Sequence, residues 1–447
     1  MRELIHQGQL RGHQGVVVGA GSSGIAAARL LSALGAQVRL LERDARNVTQ
    51  KIRDLGTDLG WDLRIGAHTA KDFAGANLLI LSPGVPLKAL ASMIPKTCKV
   101  VSELEFASWF VTEPIIAVTG TTGKTTTTGL ISHILEFNGK TVFTGGNIGT
   151  PLSEYLLSGK RVDVLVLEVS SFQLQYVRSF HPRVGVFVNF SPNHLDVHTS
   201  LEEYFMAKLN LFARMQENDL AVIHLSLKNE LEGRPFTHAR RVYYVGTDRF
   251  ACPALPGPHN QENLEAAWLA CRSFGVDEAG VQRAIQTFHP KAHRLEFVGE
   301  YAGVRCIDDS KATTITALGA ALKSCSAPGA HEKNVMLLAG GVFKGGDVGS
   351  LNALMKERVK AVFLFGAGRE HFEPVWKDLV PVQWSASLEE AVALACRGAM
   401  DGDVVLLSPA TSSFDLFSDY KARGKAFQAA VKTYYAGINN DSDPQRN

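Results

Sequence analysis

A chain of 447 residues is too long for one compact core and, at ordinary domain size, predicts about three domains. Its 45% hydrophobic and 20% charged residues exclude a disordered chain, and 46 basic against 44 acidic residues, net +2, exclude a surface that neutralises nucleic-acid backbone along its length. Six scattered cysteines without C-x-x-C spacing exclude a disulfide framework and a zinc knuckle, and no apolar run approaches the ~18 residues of a membrane span; the expectation is a cytoplasmic protein with reduced thiols and neither membrane nor nucleic-acid partner.

The first elements lie in "GVVVGAGSSGIAAARLLSALGAQVRLLERD". A strand over Val16 to Val18, a glycine turn, an Ala/Leu-rich helix and a second strand over Val38 to Leu41 make a βαβ unit. Gly19, Gly21 and Gly24 have G-x-G-x-x-G spacing, and Glu42 stands where dinucleotide folds place a ribose-binding acid. The same glycines can serve strand-to-helix packing alone. "LLILSPGVP" adds a strand ending in a Pro/Gly turn, and a Rossmann-like first domain is expected over 1–99.

The second domain, 100–291, opens with the strand "PIIAVTG" and the loop-helix "TTGKTTTTGLISHILEFNG", stopped by Gly139. Gly120 and Gly123 let the backbone fold so that successive N–H groups point at phosphate oxygens, and the helix start adds a partial positive charge of about half a unit. The loop Gly120, Thr121, Thr122, Gly123, Lys124, Thr125 with Thr126 and Thr127 is expected to bind ATP, Lys124 reaching the terminal phosphates and Thr125 a Mg²⁺ ion. The first glycine of the longer G-x-x-x-x-G-K-[ST] loop is absent, since Val118 belongs to the strand.

Glu168 closes the apolar strand in "VLVLEVSS", where a buried carboxylate needs a partner or a metal. In "NHLDVH" His194, Asp196 and His198 are two apart, which on sequence alone reads as ordinary hydrogen-bonded histidines ahead of metal ligands. In "EEYFMAKLNLF" Lys208 flanks the apolar stripe of Phe205, Leu209 and Phe212, and on sequence alone it reads as a lysine that snorkels to water. All these loops follow strands, and in a parallel or mixed open sheet they gather at its carboxyl edge.

A third domain, again Rossmann-like, is expected over 292–447, from "HPKAHRLE" through the strands of "VRCIDDSKATT", "NVMLLAGG", "AVFLFGAG" and "DVVLLSPATSSFD". Lys344 lies in the glycine-rich loop "GGVFKGGD", a site for function rather than packing. The polar tail "NNDSDPQRN" is expected to be disordered.

Taken together, "GTTGKTTTT", "GGNIG", "LEVSSFQL", "DDSKATT", "AGGVFKGG" and "SPATSSFDLFSDYKARGKAF" resemble the Mur ligase family over essentially the whole chain, and within it the branch that adds D-glutamate. The resemblance implies a monomer that ligates D-glutamate to UDP-N-acetylmuramoyl-L-alanine in peptidoglycan precursor synthesis, using ATP and two Mg²⁺ ions through an acyl phosphate. It implies Gly21, Ser22, Ser23, Asn147 and His194 near the UDP-substrate, and Asn260, Asn263, Arg294 and Asp309 around adenine and ribose. Lys311, Thr313, Lys344, Ser413 and Tyr420 fall where D-glutamate is held; Lys124, Glu168, His194 and Lys208 fall at the reacting groups. It further implies that Thr125 and Glu168 hold one Mg²⁺, and His194 with a carbamylated Lys208 the second. Glu42-Arg43-Asp44, Asn193 and Tyr420 depart from the family's usual residues at those places. Another amide ligase of the family or of the folylpolyglutamate type is the alternative; a nicotinamide oxidoreductase built on Gly19-x-Gly21-x-x-Gly24 is one of another class. The base that deprotonates the amine stays unassigned.

Overall fold

The computed structural model describes residues 10–192, 198–255, 257–290, 292–325 and 333–441. Two compact units divide the chain: one holds the residues up to Phe250 with Glu262–Thr287, the other Ala251–Gln261 with the residues from Phe288 on.

The first unit carries two parallel sheets. Strands β1 (Gln14–Val18), β2 (Gln37–Glu42), β3 (Asp62–Ile65), β4 (Leu78–Leu81) and β5 (Lys99–Ser102) are ordered β3-β2-β1-β4-β5. Strand β5 thus crosses the boundary expected at residue 99. Val16, Val17 and Val18 are buried on both sides of β1, as a parallel sheet covered on both faces requires. The helix Ser22–Ala33 packs on β1 through Ala27, Leu30 and Leu31. It approaches so closely that a side chain at Gly24 would meet the Gly19 carbonyl oxygen at 1.9 Å. Close packing is therefore what the third glycine of the spacing serves.

The second sheet is made of β6 (Ile115–Thr119), β7 (Val142–Gly146), β8 (Val164–Glu168), β9 (Val184–Phe187), β10 (Leu220–His224) and β11 (Arg240–Tyr244), ordered β11-β10-β9-β6-β8-β7. Every pairing is parallel, which resolves the parallel-or-mixed expectation. The chain leaves β6 toward β7 and β8 on one side and returns to β9 on the other. The crevice for a ligand therefore opens at the carboxyl end of β6, between the loops after β8 and β9. One apolar core, including Leu31, Phe106, Phe180 and Phe212, runs beneath both sheets; burying each such side chain contributes roughly 1.5–3 kcal/mol before entropy.

The second unit holds the mixed sheet. Its strands are β12 (Glu296–Tyr301), β13 (Val304–Asp308), β14 (Val335–Gly340), β15 (Val359–Phe365), β16 (Val382–Ser385) and β17 (Val404–Leu407), ordered β12-β13-β17-β14-β15-β16. Only β12 runs antiparallel, in a hairpin with β13 turned by Ala302 and Gly303, both at positive φ. Cores lie on both faces, one around Leu318, Leu337 and Trp376, the other around Leu338, Phe363 and Phe427. The helix Tyr420–Asp441 is anchored by Phe427, Val431 and Tyr435 and extends into the tail expected to be disordered. Among the described residues no helix is long and apolar enough to cross a membrane.

Candidate active site

The strand β6 delivers Gly120 and Gly123 at φ +150° and +79° before the helix Lys124–Phe137 begins. A side chain at Gly120 would meet Val188 at 2.4 Å, and one at Gly123 would meet Asn263 at 2.6 Å, so both positions need glycine for space as well as for angle. Lys124 folds over the loop and donates from Nζ to the Gly120 and Thr121 carbonyls at 3.0 and 2.9 Å. Along the same loop and first turn Thr122 and Thr126 are half-buried, while Thr121, Thr125 and Thr127 are buried.

Beneath the loop, the Thr125 hydroxyl donates to Glu168 Oε2 at 2.5 Å, and Asn147 Nδ2 donates to Glu168 Oε1 at 2.8 Å. Glu168 is 2% exposed at the end of β8, the neighbour of β6, so register alone brings this carboxylate to the first helical turn. Thr125 and Glu168 form a buried pair of oxygen ligands, with Asn147 exposed beside them, which suits Mg²⁺ rather than a softer metal.

Lys208 does not snorkel. It is 1% exposed, donates from Nζ to the Gly120 carbonyl at 2.7 Å, and stands 4.5 Å over the Tyr204 ring. Burial first, and then the charge of Lys124, hold its amine well below the ordinary lysine range, against the opposite pull of Glu168. His194 and Asp196 lie outside the described residues. His198 is buried, bonded to the Ser171 hydroxyl at 3.0 Å and stacked on Phe172.

Asn263 is buried and accepts the Thr127 hydroxyl hydrogen bond at 3.1 Å. Asn260, three residues earlier in the helix Pro258–Arg272, is also buried but belongs to the second unit. A residue that sequence reading passed over is Asn189, after β9: its Oδ1 accepts the N–H groups of Thr121 and Thr122 at 3.2 and 2.9 Å. An asparagine directly after an apolar strand at the switch point was the available signal.

In the first sheet, Gly21 and Ser22 are exposed and Ser23 half-buried where the helix Ser22–Ala33 starts at the end of β1. Glu42 accepts the Ala20 and Asp44 N–H groups at 2.8 and 2.9 Å and the Asn47 amide at 3.2 Å. Burial works to raise its pKa, but these donors hold the carboxyl below its ordinary range. Its own turn engages this acid, which the dinucleotide pattern would have presented to a ribose.

In the second unit the residues expected around D-glutamate follow β13, β14 and β17, three adjacent strands. Lys311 stands 4.2 Å over the Tyr420 ring and Lys344 is exposed, 5.8 Å from the Phe414 ring. Thr313 is half-buried and Ser413 buried. Asp309 accepts from the Ser408 hydroxyl at 3.0 Å and the Leu295 N–H at 3.3 Å. Burial pushes its pKa up to about 7, although those donors and the charge of half-buried Arg294 work the other way.

Sequence reading also passed over Arg423, which is fully buried. It donates to the Ser310 hydroxyl and carbonyl at 3.0 and 2.8 Å, to the Thr411 carbonyl at 3.0 Å and to the Gly340 carbonyl at 3.4 Å. One guanidinium thus ties the loops after β13, β14 and β17. Burial lowers its pKa to about 10.

Known proteins share these features. Residues 13–102 match the Mur ligase MurD-like N-terminal domain, 118–252 the Mur ligase middle domain and 293–411 the Mur ligase glutamate ligase domain. The chain is 51% identical to a UDP-N-acetylmuramoylalanine--D-glutamate ligase of Nitratidesulfovibrio vulgaris (strain DP4), covering 94% of this chain and 96% of that one. It is 45% identical to the protein of the same name from Lawsonia intracellularis, covering 93% of each. In fold it is similar to the MurF ligase of Thermotoga maritima, solved in complex with ADP, with a TM-score of 0.63 and 15% identity over 98% of this chain and 100% of that one. Three consecutive domain matches and this identity along nearly its whole length lead to one conclusion: the chain belongs to the Mur ligase family.

Proposed function

We propose that the protein joins D-glutamate to UDP-N-acetylmuramoyl-L-alanine in an ATP-dependent reaction of peptidoglycan precursor synthesis in the cytoplasm. The observation that carries this reading is the Thr125–Glu168 contact beneath a glycine loop, in a chain half identical to relatives that bear that ligase name.

The chemistry follows from charge. The L-alanyl carboxylate must attack the γ-phosphate of ATP, breaking its bond to the β–γ bridging oxygen and displacing ADP, and unit charges 4 Å apart at an effective dielectric near 20 repel by about 4 kcal/mol. The loop N–H groups and Lys124 supply positive potential for the phosphates. Mg²⁺, where bound, would offset the remaining repulsion and stabilise the transferring phosphoryl group. Thr125 and Glu168 would hold one ion, with Asn147 fixing the carboxylate. Burial, which lowers the Lys208 pKa, favours the neutral amine that is the nucleophile toward CO₂: the N–C bond forms, a proton leaves, and the resulting carbamate with His194 would offer ligands for a second ion. The acyl phosphate is then attacked by the amine of D-glutamate, whose two carboxylates Lys311 and Lys344 would meet, with Thr313, Ser413 and Tyr420 shaping the pocket.

Orthophosphate release and product mass, measured with UDP-N-acetylmuramoyl-L-alanine, ATP and either D-glutamate, L-glutamate or L-alanine, test the reading. Turnover with D-glutamate at least a hundredfold above the other two is expected. No new amide with any of them refutes it.

A further inference from the structure

A second cluster of titratable groups stands apart from the phosphate loop, in the hairpin β12–β13 of the second unit. His293 Nδ1 lies 2.7 Å from Asp308 Oδ2, and both are buried, at 6% and 0% exposure. The other Asp308 oxygen accepts the Ser310 N–H at 2.9 Å, and Oδ2 also accepts the Gln428 amide at 2.8 Å. Glu296 accepts the His293 backbone N–H at 2.7 Å and the same Gln428 amide at 3.1 Å. Three acidic or imidazole ligands within 4.8 Å could suggest a metal. Both Asp308 oxygens and Glu296 Oε2, however, already accept from N–H donors, an arrangement that orients a ring rather than encloses a cation.

The ring is held with unusual firmness. His293 and Leu295 both have positive φ, +66° and +47°, conformations that are strained for non-glycine residues and that concentrate at functional sites. A side chain at Gly424 would meet His293 Nδ1 at 2.1 Å and Asp308 at 2.7 Å, so the helix Tyr420–Asp441 closes directly on the pair. Asp308 accepts from Nδ1–H, which puts the ring proton there and leaves the Nε2 lone pair available; among the described residues Nε2 has no hydrogen-bond partner. Around the ring stand Asp308 and Glu296 of the hairpin, Lys311 of the next loop, whose backbone N–H bonds the His293 carbonyl at 3.0 Å, and Tyr420 and Arg423 of the helix.

The Tyr420 ring meets His293 edge-on at 6.3 Å while carrying Lys311 on its face. The dyad therefore borders two of the residues that the reading above assigns to the amino acid, on which the present inference rests. We propose that His293, oriented by Asp308, is the base that takes the proton from the incoming ammonium. In the step, N–H breaks and Nε2 gains the proton; the freed lone pair forms the C–N bond at the acyl carbonyl. On collapse the C–O bond to phosphate breaks, the electron pair leaves with orthophosphate, and the second amine proton goes to that phosphate.

His293→Asn tests it, because asparagine tolerates the positive φ and its amide can still donate to Asp308, yet it offers no base. The full-length protein is supplied with ATP and UDP-N-acetylmuramoyl-L-alanine and with either D-glutamate or hydroxylamine, whose nitrogen is mostly unprotonated at neutral pH. The expected result is a 10²- to 10⁴-fold fall in kcat for D-glutamate with its KM within about threefold, and hydroxamate formation within about threefold of the unsubstituted protein. The deficit with D-glutamate should also narrow about tenfold for each pH unit as the free amine fraction rises. Unchanged D-glutamate turnover overturns the proposal, and so does an equal loss with both acceptors in His293→Asn and His293→Gln. An unsubstituted protein that makes neither product refutes the underlying ligase reading instead, and this inference with it.

Discussion

Lys344 is exposed on a glycine-rich loop, its ammonium 5.8 Å from the Phe414 ring, so its charge is available to a ligand. A charge-assisted contact to a carboxylate contributes about 1.5–3 kcal/mol, so Lys344→Ala should raise KM for D-glutamate by roughly tenfold to a hundredfold and leave KM for ATP unchanged. Equal effects on both constants in steady-state kinetics would refute the assignment. Asp309 carries a different consequence, for stability. Its folded pKa is about 7 against an ordinary 3.8, so the folded acid keeps a proton that the unfolded chain has lost between those values. Stability supplied by the protonated form is therefore present at low pH and lost as pH rises from about 4 to about 7, on the order of 4 kcal/mol in total. Asp309→Asn cannot titrate, so the difference in unfolding free energy between the unsubstituted protein and this variant should fall across that window; a difference that stays level sinks the argument.

At the scale of elements, the second unit depends on a single buried cation to align three loops. Arg423 reaches Ser310, Thr411 and Gly340 from the first turn of the helix Tyr420–Asp441, and the Thr411 hydroxyl also donates to the Gly340 carbonyl. Removing the guanidinium takes the donor from the buried Ser310 and Thr411 carbonyls, each costing about 1–3 kcal/mol, while the Gly340 carbonyl keeps the Thr411 hydroxyl, so Arg423→Ala should lower unfolding stability by about 2–5 kcal/mol. Arg423→Lys should recover only part of this, since a single ammonium cannot reach three loops in a fork. Urea midpoints within error of the unsubstituted protein would show that the loops hold themselves. This tie was invisible in the sequence because its partner Ser310 lies 113 residues away, and no local pattern encodes such a contact. The phosphate loop was legible for the opposite reason: strand, glycines, Lys124, Thr125 and helix are contiguous, and the physical demands on them are local. Lys208 falls between the two. The stripe of Phe205, Leu209 and Phe212 was readable from its period, and Tyr204 lies one helical turn before Lys208, but whether the lysine points to water or inward depends on the Gly120 carbonyl, which only the fold brings there.

For the molecule as a whole, the residues assigned to the reacting groups and those assigned to the amino acid fall in different units, while Asn260, Arg294 and Asp309, assigned to adenine and ribose, lie in the same unit as the amino-acid set. Lys124, Thr125, Glu168 and Lys208 all belong to the unit with the first and central sheets, where Gly21 to Ser23 also lie, whereas Lys311, Lys344, Ser413 and Tyr420 belong to the other. On the proposed reading, phosphoryl transfer to the carboxylate calls on groups of the first set, and capturing the acyl phosphate with an amine calls on those of the second. Variants should divide accordingly. In the absence of D-glutamate, reducing the mixture with borohydride converts any acyl phosphate into the corresponding alcohol, which mass spectrometry of the UDP-sugar detects. Lys344→Ala should give this alcohol within about threefold of the unsubstituted protein while making little amide at low D-glutamate. Lys124→Ala, which loses a cation worth about 4 kcal/mol at the transferring phosphoryl group, should give about a thousandfold less of both alcohol and amide. Should Lys344→Ala lose the alcohol as completely as Lys124→Ala does, activation itself would need the second unit's lysine, and the division of labour drawn from the placement of these residues would be wrong.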